Sequence, residues 1–277
     1  MDRITGRTRL LGIVGDPIAQ VGSPAICNPH LAAAGIDAVL IPFHVPAARF
    51  EAVLPGLLGL ANLDGLLITI PFKTRVLAYA ARLGPVAQAV GAANALRREA
   101  DGSWTAEMFD GAGLLGALAG LGIDPAGRAV LLLGAGGAGA AIAVSLARAG
   151  VARLGIHDLD AARAAALAAR VMRHAPGCAA ERAAPIAAGY DLLINATPVG
   201  MAASDRLPAA LGPLAGLQGV VDIVPYPPIT RLMEEAGAAG CRVAGGQAMI
   251  AGQADAVLRF FGMPIGPADG GATPHPV

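Results

Sequence analysis

Short apolar runs alternate with alanine-rich amphipathic stretches along nearly the whole chain. Residues 10–14, 38–42 and 65–70 read as strands, and residues 24–34, 47–60 and 75–83 read as helices between and after them. Residues 93–98 and 103–107, separated by Asp101-Gly102, read as a hairpin that closes this first unit. A helix from about 111 to 121 leads into a second unit. Its expected strands are 129–133, 153–157, 191–195 and 219–223, and its expected helices are 138–149 and 161–174. A last helix, 247–260, is expected to pack back on the first unit, and the Gly- and Pro-rich tail from Gly266 is expected to be disordered. Strands and helices in this order predict an α/β fold with parallel sheets.

The run 129–147 carries no charge, long enough to raise a membrane span. The glycines of Gly134-Ala135-Gly136-Gly137-Ala138-Gly139 interrupt it, so strand, turn and helix describe it better and no span is expected. Composition narrows the rest. The 277 residues suffice for one large or two ordinary domains, and 55% of them are hydrophobic. A net charge of zero gives no electrostatic case for nucleic acid or an anionic membrane. Cys27, Cys178 and Cys241 are scattered and the histidines lack ligand spacing, so no metal site is expected. With no secretory pattern at the start, the expected setting is the reducing cytoplasm.

One position stands against the composition. Lys73 is the only lysine in the chain, and every other basic residue is arginine. A surface cation can be either residue, but a group that gives and takes a proton cannot be a guanidinium. Chemistry is a reason for a lysine to persist there.

The glycine segment fits GxGxxG, follows an expected strand and opens an expected helix. Glycines there allow a tight turn and close approach to a pyrophosphate seated on free helix amides. The next strand ends in His157-Asp158-Leu159-Asp160, which puts Asp158 24 residues after Gly134, where a carboxylate reaches ribose hydroxyls. The second unit is therefore read as a Rossmann domain. Two acids with no arginine in that turn favour NAD over NADP. Asp160 suits a cap for the helix that follows, and capping alone would also account for Asp158.

With these pieces in order, the chain resembles the shikimate dehydrogenase family, which includes quinate dehydrogenases. The motifs are Val14-Gly15-Asp16-Pro17-Ile18-Ala19, Ser23-Pro24, Thr69-Ile70-Pro71-Phe72-Lys73, Gly91-Ala92-Ala93-Asn94 and Asp110 with Gly113. The glycine loop, Asn195-Ala196-Thr197-Pro198-Val199-Gly200-Met201 and the stretch from Gly246 to Gln253 follow in family order. The resemblance implies a substrate domain from residues 1–108 and 246–277, a cofactor domain from 109–245, and a cleft between them. It implies Lys73 and Asp110 as the acid–base pair, with Ser23, Thr69, Asn94 and Gln253 binding a polyol acid. Ser23 could also cap the helix that begins at Pro24, and Asn94 could be a hairpin-edge residue. Gly134, Ala135, Gly136, Gly137, Ala138, Gly139 and Asp158 are expected on the cofactor, joined by Asn195, Ala196, Thr197, Pro198, Val224, Gly246 and Met249. A small-molecule substrate and a monomer or homodimer complete the expectation.

The chain departs from the family pattern around the substrate. S-x-S-P, whose hydroxyls grip the substrate carboxylate, reads Val21-Gly22-Ser23-Pro24. N-V-T reads Leu67-Ile68-Thr69, N-T-D reads Met108-Phe109-Asp110, and the tyrosine of D-x-x-Y-x-P is Pro225, with Tyr226 one place late. The NADP turn N-R-[ST] reads Asp158-Leu159-Asp160, in line with NAD. The leading expectation is NAD-preferring hydride transfer on shikimate or a quinate-like ring acid. The alternatives are a less polar ring acid and a non-catalytic NAD-binding sensor, the latter disfavoured by the presence of Lys73 and Asp110.

Overall fold

β1 (Arg9–Gly15) is buried from Leu11 onward, as befits a strand covered on both faces. The computed structural model describes residues 4–201 and 206–263, so the tail from Gly266 lies outside the described residues. α1 (Ser23–Ala33) crosses to β2 (Ala38–His44); a 3₁₀ turn (Ala47–Arg49) and α2 (Phe50–Leu58) cross to β3 (Leu63–Ile68). β2 and β3 flank β1 in parallel. Beyond Lys73 come a 3₁₀ turn (Arg75–Tyr79), β4 (Arg82–Leu83), α3 (Pro85–Val90), β5 (Ala95–Arg98) and β6 (Trp104–Glu107). The sheet order is β2-β1-β3-β5-β6-β4, with β5 antiparallel to both neighbours.

The helix expected over 75–83 is not formed. Ala80 is extended (φ −96°, ψ 129°) and the Ala81 amide bonds the Trp104 carbonyl at 2.8 Å, so the sheet edge captures the chain after one turn. Proline at the start of α3 then fixes a separate helix.

α4 (Asp110–Gly120) leads to β7 (Ala129–Leu133), α5 (Gly137–Arg148), β8 (Arg153–His157), α6 (Ala161–His174), β9 (Ala179–Arg182) and β10 (Leu192–Asn195). β11 (Gly219–Asp222), α7 (Arg231–Ala238), β12 (Arg242–Gly245) and α8 (Gly246–Phe260) follow. This second sheet is parallel throughout, in the order β12-β11-β10-β7-β8-β9. That is the doubly wound dinucleotide order, with its switch point between β7 and β10.

α8 returns to the first sheet. Val257 and Leu258 join Leu11, Ile13 and Leu31 in one buried cluster, and the Phe261 ring covers Gly65, where a Cβ would come within 2.5 Å of it. α8 also crosses α4 at backbone contact. A Cβ on Gly116 would lie 2.7 Å from the Gly252 Cα, and one on Gly113 would lie 2.5 Å from the Met249 carbonyl oxygen. Only glycine fits these positions. Among the described residues, no helix is long and apolar enough to cross a membrane, and no His/Cys/Asp/Glu group is arranged to hold a metal.

Candidate active site

β3 stops at Ile68 and the chain turns across the end of the first sheet. The Thr69 amide is held by the Val14 carbonyl (2.9 Å), and the Lys73 carbonyl takes the Ala93 amide (2.8 Å). The buried Phe72 ring stacks on Phe50 with centroids 4.1 Å apart. A turn fastened at both ends and by an aromatic stack leaves Lys73 little freedom.

Lys73 Nζ donates to Asp110 Oδ2 at 2.5 Å, the two side chains being 16% and 4% exposed. Asp110 is the first residue of α4, where the helix N-terminus favours negative charge. Its other oxygen accepts from Asn94 Nδ2 (2.7 Å). The same amide donates to Gln253 Oε1 (3.1 Å), and Asn94 Oδ1 accepts the Phe109 amide (2.8 Å). A polar chain Lys73–Asp110–Asn94–Gln253 therefore joins the turn after β3, α4, the entry to β5 and α8. Asn94 has donors and acceptor engaged and stands behind Asp110. Among the described residues, Lys73 keeps further N–H groups and Gln253 keeps its Nε2 for a ligand.

Ser23 does not cap α1. Gly22 holds the cap position and Ser23 is already helical, so its hydroxyl takes no backbone amide. Instead Ser23, with Thr69, lines a pocket of about 390 Å³ between the two sheets. Lys73, Asn94, Asp110 and Gln253 line it too, as do Gly246 and Met249 at the start of α8. The second sheet contributes Gly136, Gly137 and Ala138 on one side and Ala196, Thr197, Pro198 and Val224 on the other.

The glycines of the loop play different parts. Gly134 has φ +97°, and a Cβ there would come within 2.8 Å of the Ala196 carbonyl oxygen. A Cβ on Gly139 would fall 2.0 Å from the Gly134 carbonyl oxygen. Both are packing glycines beneath the pocket. Gly136 is exposed with nothing within 4 Å of a Cβ position, leaving the start of α5 open to a close ligand. This cradle fits a dinucleotide pyrophosphate.

Asp158 lies outside the pocket lining. Its Oδ2 accepts the Ala135 amide (2.7 Å) and its Oδ1 the Asp160 amide (2.9 Å), so it ties the glycine loop to the end of β8 rather than capping α6. Asp160 supplies that cap, accepting from the Ala162 and Arg163 amides at 3.0 and 3.1 Å. Leu159 between them is 99% exposed.

Asn195 is fully buried and reaches the pocket only through the loop it holds. Its Oδ1 accepts the Thr197 amide (3.1 Å) and hydroxyl (2.7 Å), and its Nδ2 donates to Asp222 Oδ1 (2.9 Å). Asp222 is the residue that the sequence reading overlooked. It also accepts from the Thr230 hydroxyl (2.7 Å) and the Val224 amide (3.2 Å), so one carboxylate positions both loops that flank the cofactor crevice. Burial pushes its carboxyl above the ordinary 3.8, against the pull of those hydrogen bonds.

A doubly wound sheet whose glycine cradle faces a lysine paired with a buried carboxylate across one pocket defines a nicotinamide-dependent oxidoreductase. Comparison with known proteins agrees. Residues 13–96 match the model of the shikimate dehydrogenase substrate binding domain. The chain is 36% identical over 266 residues to shikimate dehydrogenase (NADP(+)) of Citrifermentans bemidjiense, covering 93% of this chain and 91% of that one. Among solved structures, shikimate 5-dehydrogenase of Listeria monocytogenes in complex with shikimate and NAD is 30% identical. Its TM-score is 0.83, over 96% of each chain. The 5-ketofructose reductase of Gluconobacter sp. strain CHM43 is also 30% identical, with a TM-score of 0.80 over 93% of this chain and 94% of that one. The chain belongs to the shikimate dehydrogenase family and is an NAD(P)-dependent oxidoreductase.

Proposed function

We propose that the enzyme interconverts a ring alcohol of the shikimate or quinate kind and its ketone, with Lys73 and Asp110 as the acid–base pair and NAD as the preferred cofactor. The observation that carries this reading is the 2.5 Å Lys73–Asp110 pair in the same pocket as the open Gly136 cradle. A nicotinamide cofactor held at the Gly136 cradle would supply the acceptor for the hydride of the carbinol carbon. Lys73 Nζ, in its free-amine form, takes the hydroxyl proton as that carbon becomes a carbonyl, and as the ammonium returns it in reduction. Asp110 holds the amine in place and is itself held by Asn94. Ser23, Thr69 and the free Nε2 of Gln253 orient the remaining hydroxyls. In this reading residues 1–108 with 246–277 bind substrate, and 109–245 bind the cofactor.

NAD preference rests on Asp158 and Asp160 in the turn after β8, with exposed Leu159 where the family pattern has arginine. A phosphate at the ribose 2′ position would meet carboxylates there. The free cysteines are buried, and burial with the nearby Asp255 pushes the Cys27 thiol up to about 11. Free, buried thiols suit a reducing compartment such as the cytoplasm. The similar 5-ketofructose reductase is named for an uncharged polyol ketone rather than a ring acid.

The test is the initial rate of NAD⁺ and NADP⁺ reduction with shikimate and with quinate, using Lys73→Ala as the blank. Turnover that disappears in the variant supports the assignment. Turnover that persists removes Lys73 from the mechanism.

A further inference from the structure

The donors that could receive a carboxylate in this pocket are few. Among the described residues no arginine lines it, and its one lysine is paired with Asp110, so the lining offers a carboxylate no unpaired cation. At the start of α1, Pro24 has no amide hydrogen, and the Ala25 and Ile26 amides both donate to the Gly22 carbonyl (3.1 and 3.3 Å). Gln20 Nε2 spends one of its two N–H groups on the Pro17 carbonyl (2.8 Å), and Gln247 Nε2 one of its two on the Pro225 carbonyl (3.1 Å). The Ser23 hydroxyl and the second Gln20 N–H remain, both neutral, among the apolar lining residues Ile13, Val21, Leu67, Ile250 and Pro225.

A carboxylate presents several strong acceptor sites, and burying one without partners is heavily disfavoured. A neutral polyol asks only for partners to its hydroxyls, which Lys73, Thr69, Ser23 and Gln253 supply. We infer that the preferred substrate is an uncharged ring polyol or its ketone, with hydrogen, alkyl or ester where shikimate carries its carboxylate. This rests on the hydride-transfer reading above and narrows its substrate.

Shikimate and methyl shikimate, which differ in that one charge, separate the cases. With saturating NAD⁺, the wild-type enzyme is expected to favour the ester in kcat/KM by about tenfold or more. Val21→Ser, which restores a hydroxyl, is expected to move the ratio about ten- to a hundredfold toward the acid, the scale of one hydrogen bond to a charged group. An acid used as well as the ester, or a ratio that Val21→Ser leaves in place, overturns the inference. Equilibrium binding of both compounds to the protein–NADH complex is measured alongside. Tighter binding of the acid overturns the inference whether or not either compound reacts. Tighter binding of the ester without turnover of either supports it and instead overturns the proposed reaction. Binding of neither overturns both.

Discussion

Replacing Asp158 with Asn and Leu159 with Arg should convert the cofactor preference. The Asp158 carboxylate is anchored by the Ala135 and Asp160 amides, so it cannot swing away from a ribose 2′ substituent. At about 5 Å and an effective dielectric of about 40–80, two unit charges repel by about 0.8–1.7 kcal/mol. A phosphate monoester carries about −1.5 to −2 charges, so in the proposed ribose position Asp158 alone would disfavour NADP by about 1–3 kcal/mol. Asp158→Asn is therefore expected to shift the NAD/NADP ratio of kcat/KM by about tenfold or more. Leu159 is 99% exposed, so an arginine there is free to reach the phosphate and contributes a further ~1–2 kcal/mol. The double variant should shift the ratio by on the order of 10²–10³. Asparagine offers one acceptor where aspartate offers two, so one loop amide turns to water. That cost falls on both cofactors and cancels in the ratio. Initial rates with each cofactor at saturating alcohol give the answer. A ratio that stays within twofold in Asp158→Asn would falsify the ribose assignment.

Lys73→Arg keeps a cation against Asp110 and should preserve the fold and cofactor binding, but a guanidinium cannot cycle a proton, so kcat should fall by about 10²–10⁴. A variant retaining a tenth of wild-type kcat refutes the acid–base role. Gly136→Ala should melt like wild type yet bind NAD about tenfold more weakly. Gly139→Ala should melt lower, because its Cβ would sit 2.0 Å from the Gly134 carbonyl oxygen. If calorimetry and cofactor titration give the reverse pattern, the division of roles in the loop is wrong. Asp222 has a raised carboxyl pKa, so the folded state holds its proton more tightly than the unfolded chain. Its contribution to stability is greatest below the ordinary 3.8 and is lost as pH rises through the raised value. Asp222→Asn does not titrate, so its melting temperature should gain on wild type as pH rises toward neutral. A difference independent of pH would show that this carboxylate does not titrate in that range.

The elements easiest to read from the chain are those whose own residues determine them. β8 and α6 fall at the expected boundaries because Leu154 and Ile156 form an apolar strand and Asp160 caps a periodic helix. β9 escapes notice because Glu181 and Arg182 are exposed at the sheet edge, where pairing with β8 alone makes it a strand. α7 carried a readable signal: Thr230 accepts the Met233 amide, and Leu232, Met233 and Ala236 mark a buried face. Lys73 and Asp110 were legible through residue type and motif. The Asn195–Asp222 pair was not, because it exists only through the register of β10 beside β11, which sets those residues side by side. Only the cap alternative for Ser23 fails, and for a local reason, since the helix begins one residue earlier and Gly22 takes the cap.

The crossing of α4 and α8 acts as a gauge for the active site. α4 begins with Asp110, and α8 carries Gln253, the two ends of a hydrogen-bonded bridge through Asn94. Gly113, Gly116 and Gly252 set the spacing of those helices by adding no side-chain thickness between them. A single methyl group on any of the three would wedge the helices apart and stretch the bridge, so the proposed acid–base pair would be disturbed from a distance by a change of backbone spacing alone.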